Sequence, residues 1–288
     1  HRGVVACRDR LGRLARAIGI EGEIAARAVA EVGDAGDDRT AERVEEPGVQ
    51  HHHAHVAALM AEHGVDNMVG VACDGYGYGI DGSAWGGEIM LCQNGCQTFK
   101  RMGHLEAQPL LGGDIATRYP LRIAAAILNK KTSIDQWLLQ SSSHLPHGET
   151  EAELILSQLK KSQTIQQSTG LGRVLDAAAA VLGICYERTY EGEAAMKLES
   201  AAQNGKDTLG LASVVYGDVL DTSELMLSLY ESRGRFSVAD LAYSAHAYLA
   251  RGLATLASEK AIDCGVGVVG LTGGAAVNGL LAELMRQV

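Results

Sequence analysis

The sequence lacks a disulfide framework. Its 6 cysteines, Cys7, Cys73, Cys92, Cys96, Cys185 and Cys264, are scattered along 288 residues without paired spacing, which excludes a stapled secreted scaffold and suits a reducing compartment. It also lacks a basic run: 35 acidic against 25 basic side chains leave a formal net charge of -10, so nucleic acid is not an expected partner. No apolar stretch is long enough to span a bilayer and no signal peptide opens the chain, so no membrane is expected and the location read from these residues is cytoplasmic. Neither a Walker loop nor a dinucleotide fingerprint is present. What is present is an apolar fraction of 47%, ample for the core of one large domain or two small ones.

Chemistry is densest from Val49 to Glu88, VQHHHAHVAALMAEHGVDNMVGVACDGYGYGIDGSAWGGE. Val56, Ala57, Leu59 and Met60 repeat at helical spacing ahead of Gly64, a C-cap residue, and predict a helix over His55–His63 with the histidine cluster at its front. Residues four apart share a helical face, so His51 and His55 can hold one metal ion while His52 and His53 point elsewhere. Met68–Cys73 is short, apolar and closed by Asp74, which predicts a buried strand delivering a carboxylate at its end. Two imidazoles with a carboxylate suit Fe or Zn, and the residue types do not choose between them. A polar helix start with surface histidines is the other reading of that pair taken alone.

Gly75, Gly77, Gly79, Gly82, Gly86 and Gly87 follow, ahead of a second apolar run at Glu88–Cys92. Glycines let backbone N–H groups approach an anion closely, so this loop is expected to hold phosphate oxygens. A long hairpin loop with turn glycines is the alternative. Cys92 and Cys96 flank a Gln-Asn-Gly turn, and a hairpin explains that pair better than a metal knuckle does.

Further along, Gly112, Gly113 and Asp114 read as a turn and helix cap before a helix through Ile127 that Pro120 kinks or restarts. Thr132–Lys161 reads as polar helices broken around Ser141–Gly148, with His144 and His147 in the surface loop. Ser168 or Thr169 is expected to cap a helix to Leu182 presenting Arg173 and Asp176 three residues apart. That pair is either an arginine for phosphate oxygens beside a carboxylate for ribose hydroxyls, or an intrahelical salt bridge. A helix from Tyr190 to Leu198 has Gly192 for close backbone approach and Glu193 in its first turn. A strand near Ala212–Tyr216, a helix after Asp221 and a long helix over Phe236–Lys260 that packs His246 come next. Val266–Leu271 predicts a buried strand, followed by Thr272, Gly273, Gly274 and a helix carrying Asn278, an arrangement for a nucleotide with Asn278 on a purine edge. His1–Pro47 offers only a weak helix at Glu23–Glu31 and a charged tract.

VQHHHAH and GVACDGYGYGIDGSAWGGE, then GGDIATRYPLRIAAAIL from Gly112, STGLGRVLDAAAAVLGI from Ser168, YEGEAAMKLE from Tyr190 and LTGGAAVNGLL from Leu271, together resemble the Kae1-like carbamoyltransferase domain of the HypF hydrogenase-maturation family. The resemblance covers residues 49–288 and leaves 1–48 unassigned. It implies an α/β fold of the actin-like ATPase (ASKHA, Kae1-like) type, mainly its second lobe, led by an antiparallel meander of Met68–Cys73, Ala84–Cys92 and Thr98–Glu106. The strands and Gly-Gly phosphate loop of a first lobe are not found in 1–47, and a closing segment with a further metal-ligating aspartate is not found before Val288. An incomplete or divergent first lobe and a shortened C-terminal end are therefore expected.

The resemblance also implies roles. His51, His55 and Asp74, with water, would hold the metal; Gly75, Gly77, Gly79, Gly112, Gly113, Asp114, Asp176, Gly192, Glu193, Gly273, Gly274 and Asn278 would meet ATP or a carbamoyl-adenylate. Relatives commonly have Gln where this chain has Glu193. Arg173 and Asp176 would serve catalysis. The implied activity is transfer of the carbamoyl group to the C-terminal cysteine of a HypE-like acceptor protein, on the way to the cyanide ligands of nickel–iron hydrogenase. Two alternatives share the domain: a small-molecule O-carbamoyltransferase with a hydroxyl acceptor, and a non-catalytic lobe that binds nucleotide or a partner without turnover.

Overall fold

Helix α1 (His51–His63) starts four residues before the range its apolar spacing predicts. Gln50 caps it, its side-chain oxygen accepting the His53 N–H at 2.8 Å, and Gly64 closes it in a left-handed conformation. The computed structural model describes residues 49–161 and 165–288; the helix expected at Glu23–Glu31 lies outside them.

Strands β1 (Met68–Tyr78), β2 (Ala84–Gln93) and β3 (Thr98–Leu105) form the expected antiparallel meander, with β1 longer than its apolar run. Gly75 and Gly77 are thus strand residues rather than loop residues: β1 continues past a register break between Cys73 and Gly77. The connecting turn is confined to residues 79–83, closed by the Gly79 N–H donating to Ser83 O at 2.9 Å. The reason is local. Gly75 and Gly77 have no side chains, so the extended backbone can pass flush against Arg173 and against the His51 and His52 rings.

The chain continues through β4 (Gln108–Pro109), α2 (Asp114–Arg118), α3 (Leu121–Leu128), α4 (Asp135–Gln140), α5 (Gly148–Lys160), β5 (Gln167–Ser168), α6 (Leu171–Val181) and α7 (Glu193–Ala202). It closes with β6 (Val215–Tyr216), β7 (Val219–Leu220), α8 (Ser223–Ser232), α9 (Val238–Asp263), β8 (Val269–Thr272) and α10 (Gly279–Arg286). Pro120 separates α2 from α3, as its missing N–H requires. Two capping expectations fail. Asp114 is the first residue of α2, behind Gly113 with φ 61°, and caps nothing. Gly170, not Ser168 or Thr169, stands at the N-cap of α6, because Ser168 Oγ accepts the Gly170 N–H at 3.1 Å and the Thr169 hydroxyl donates to Glu88. Helix α7 begins at Glu193, since Gly192 with φ 77° ends the preceding turn.

The sheet is mixed. β8 runs parallel to β1, from Val69 opposite Val269 to Ala72 opposite Thr272, and β1 is antiparallel to β2. β8 is half-exposed at an edge rather than buried, with Val269 44% exposed. Strand alternation divides β1 between two layers. Val69, Val71 and Cys73 join the large core formed with α3, α6 and α9, whereas Met68 and Ala72 join a smaller one under α1 with Val56, Met60, Met90 and Cys92. Covered on both faces, β1 reads as a continuous apolar run ending in an acid. All residues of α3 and α6 are buried, so any functional side chain on α6 reaches solvent only through a cleft.

Candidate active site at the end of strand β1

Strand β1 brings Asp74 to the point where its register breaks, and α1 lies across that point. His51 Nε2 is 3.0 Å and His55 Nε2 3.3 Å from the same oxygen, Asp74 Oδ2, and the two Nε2 atoms are 3.2 Å apart. Ligands held at about 2.1 Å from one ion, at tetrahedral to octahedral angles, stand about 3.0–3.4 Å from one another. The three donors therefore fit a shared iron or zinc ion. The second carboxylate oxygen, Oδ1, accepts the Gly75 N–H at 2.7 Å, which fixes the plane of the group. Burial pushes the Asp74 carboxyl up, but hydrogen bonds from His51 and His55 outweigh it and hold the group well below the usual carboxylate range.

His52, expected to point elsewhere, lies beside the pair. It is fully buried, its ring 5.0 Å from that of His51 and 6.3 Å from that of Trp85. Burial lowers its imidazole to about 4, so it is neutral. A His52 ring nitrogen lies within 4.8 Å of ligand atoms of His51 and Asp74, and its Nε2 has no hydrogen-bond partner among the described residues. His55 makes the tighter set with His51 and Asp74; His52 lines its floor.

Gly75 opens onto a cleft of about 720 Å³ walled by Tyr76, Asp114, Arg118, Arg173, Arg188 and Tyr190. Arg173 Nη2 and Arg188 Nη1 each lie 3.1 Å from Asp176 Oδ2, and the carboxylate is fully buried behind them. Burial pushes the Asp176 carboxyl up while Arg173 and Arg188 oppose it. The ribose role expected of Asp176 does not match this placement: the group orients two guanidiniums and faces no cleft. A Cβ added to Gly75 would stand 3.0 Å from Arg173 Nη2, so the missing side chain there lets the arginine lie beside the neighbour of a metal-ligand candidate. Gly86 and Gly170 crowd the same backbone; a Cβ on Gly86 would be 2.6 Å from Asp74 O, and one on Gly170 would collide with Gly75 O.

The remaining sequence candidates divide. Asp114 reaches the cleft, but Gly112 and Gly113 line a separate pocket of about 220 Å³ with Gln158 and Gln166. Gly77 packs on His51 and His52, and Gly79 on Trp85, away from the cleft wall. Gly192 caps α7, and Glu193 is engaged by Thr189 and by Lys197 at 2.7 Å. Gly273 and Gly274 pack against Cys73 and Asp74, where a Cβ on Gly274 would lie 3.1 Å from Asp74 Oδ1. Asn278 is buried, its Oδ1 accepting the Leu281 N–H at 2.9 Å as the cap of α10 and its Nδ2 meeting His246 Nε2 at 3.0 Å.

Three residues escaped the sequence reading. Arg118 and Arg188 wall the cleft from a short helix and a loop, positions without periodicity to mark them. Glu88 is fully buried, accepts from Arg101 Nε at 2.6 Å and the Gly86 N–H at 3.0 Å, and ties β2 to Thr169 ahead of α6.

The chain is similar to known proteins over most of its length. Residues 70–288 match the model of the carbamoyltransferase, Kae1-like domain, second subdomain. The chain is 37% identical over 237 residues to the probable carbamoyltransferase HypF of Methanocaldococcus jannaschii, covering 82% of this chain and 30% of that protein. It is 35% identical over 248 residues to the carbamoyltransferase HypF homolog of Cupriavidus necator, covering 83% and 62% respectively. Its fold is similar to the crystal structure of T. kodakarensis HypF, with TM-score 0.77, 43% identity, 83% of this chain and 32% of that one covered. It is similar also to full-length HypF in a phosphate- and nucleotide-bound form, with TM-score 0.73, 31% identity and 83% and 37% covered. The chain thus spans about a third of the length of most of these relatives, and within that span it belongs to the Kae1-like carbamoyltransferase domain family of HypF proteins, with their mixed α/β, actin-like fold.

Proposed function

We propose that residues 49–288 form a carbamoyltransferase domain that binds an ATP-derived carbamoyl-adenylate in the arginine-walled cleft and passes its carbamoyl group to the C-terminal cysteine of a HypE-like acceptor protein. The observation that carries this reading is the convergence of His51, His55 and Asp74 at 3.0–3.3 Å beside a wall of Arg118, Arg173 and Arg188. The relatives' names, carbamoyltransferases throughout, and the relative solved with phosphate and nucleotide support the substrate class. The five described cysteines are free thiols, which suits a cytoplasmic setting.

Iron or zinc held by His51, His55 and Asp74 would supply a Lewis acid that neutralises phosphate or carboxylate charge. Arg173 and Arg188, oriented by Asp176, bind the adenylate phosphate and steady the negative charge that grows on the carbamoyl oxygen. The acceptor thiolate forms a bond to the carbamoyl carbon, the bond from that carbon to the adenylate oxygen breaks, and AMP leaves with the electron pair. No nucleophile of this chain enters the step: Cys73 is fully buried and burial pushes its thiol far up.

The test supplies carbamoyl-adenylate and a cysteine-ended peptide to the full chain and reads the peptide mass. One carbamoyl group added per peptide, at a rate that falls about 100-fold or more in Arg173→Ala, is the expected result. A wild-type rate equal to the uncatalysed one, with AMP still bound in calorimetry, would reduce the chain to a nucleotide-binding lobe.

A further inference from the structure

The β2–β3 hairpin carries a second cluster that the transfer reaction does not use. Its turn places Asn94, Gly95 and Cys96 at positive φ, 53°, 68° and 65°. Asparagine and glycine adopt that conformation readily, whereas a cysteine there costs roughly 1–2 kcal/mol because its Cβ crowds the next carbonyl. The strained residue turns inward. Cys96 is 8% exposed and Cys92 fully buried, both in the layer between the sheet and α1. From the helix side His53 meets them, with its Nε2 2.8 Å from Cys96 O and its ring 4.7 Å from that of Phe99. A ring nitrogen of His53 and the Sγ atoms of Cys92 and Cys96 all lie within 4.8 Å of one another.

We propose that His53, Cys92 and Cys96 form a second metal site, a two-thiolate, one-imidazole set for zinc, chemically distinct from the nitrogen–oxygen set of His51, His55 and Asp74. Sulfur donors with imidazole select zinc over hard cations such as magnesium or calcium. Around a tetrahedral zinc, sulfur at about 2.3 Å and nitrogen at about 2.0 Å stand about 3.5–3.8 Å apart. Side-chain rotation of about 1 Å therefore closes the set. His53 is half-buried, and water reaching its open side completes the tetrahedron. Two small apolar thiols filling a core would account for the burial of Cys92. They would not account for the left-handed backbone at Cys96 or for the histidine beside them.

The placement gives the ion a task. Two residues along a helix is about 200° of rotation, so His53 leaves α1 on the face opposite His51 and His55. An ion shared between His53 and the hairpin, 43 residues away at Cys96, ties the first turn of α1 to the sheet. It thereby fixes the rotation of the face that carries the other two histidines.

Cobalt titration of the full chain under a reductant tests the site, because a thiolate-to-cobalt charge-transfer band in the near ultraviolet arises only from sulfur ligands. The band is expected in the wild-type chain and in His51→Ala, and its loss is expected in Cys96→Ser. Zinc affinity for this site should fall at least about 100-fold in Cys96→Ser and in His53→Gln, since even outer-shell partners cost about 10–100-fold. Circular dichroism checks that both variants fold. A wild-type chain without the band overturns the proposal, as does survival of the band and of full affinity in both variants.

Discussion

Asp176 sits behind the cleft wall and meets two of its arginines. It is fully buried and holds Arg173 and Arg188, both at 3.1 Å. Removing it leaves two guanidiniums in a region of low exposure without their counter-charge. Asp176→Ala is therefore expected to destabilise the fold by about 3–5 kcal/mol in denaturant titration, and to weaken AMP binding in calorimetry because the arginines lose their orientation. Arg173→Lys separates the two effects: the charge stays, the planar fork goes, and nucleotide affinity should fall with little change in stability. The spacing of Arg173 and Asp176 was legible as either a ligand pair or a salt bridge; the structure shows the bridge, with Arg173 also on the cleft wall. Arg188 was not legible at all. It lies 12 residues beyond Asp176 in a loop, where no periodicity reports which way a side chain points.

At the scale of elements, the site depends on how closely β1 is approached by its neighbours. The Asp74–Gly75 backbone is met by Gly86 from β2 and by Gly170 ahead of α6, and Cys73 by Gly273 after β8. A Cβ at Gly86 would stand 2.6 Å from Asp74 O, so Gly86→Ala must push the strands apart or displace the carboxylate. The expected cost is about 1–3 kcal/mol in thermal or denaturant unfolding, with metal affinity lowered in the same variant; an unchanged metal affinity would show that the Asp74 position tolerates the shift. Gly75, Gly77 and Gly86 stood out in the sequence as part of an expected phosphate loop, and the structure shows what each of them packs against. Most of those near Asp74 are needed for close backbone contact, which composition cannot distinguish from a flexible loop. The helix and strand that carry the metal-ligand candidates were legible because a helical face and a two-sided buried strand each leave a pattern. The cap at Gln50, which sets where α1 begins and so the orientation of His51, left none beyond a single polar residue.

The described residues form a mixed sheet held between α1 on one side and α3, α6 and α9 on the other, with a polar joint where β3 hands over to the helices. Glu106 accepts the Ser223 N–H at 2.9 Å and Lys130 Nζ at 2.9 Å. Burial pushes its carboxyl up, but hydrogen bonds from Ser223 and Lys130 outweigh it and hold it at about 2, against an ordinary 4.5. A carboxyl whose folded value lies below its unfolded value contributes stability above about pH 4.5, and that contribution is lost as the pH falls from 4.5 towards 2. Unfolding free energy measured across that window should drop for the wild-type chain and drop less steeply for Glu106→Gln. The antiparallel meander and the long helix α9 were visible from apolar spacing, whereas the parallel pairing of β8 with β1 joins residues some 200 positions apart, a relation that only the closed fold expresses.

His51, His55 and Asp74 are proposed to face one ion, and equilibrium dialysis against zinc and iron tests this most directly. The measurement is made on the Cys96→Ser chain, so that the sulfur set does not contribute, with and without His55→Ala. One ion per chain, held with affinity that falls at least about 100-fold when His55 is removed, is the predicted result; equal occupancy in the two chains would contradict it.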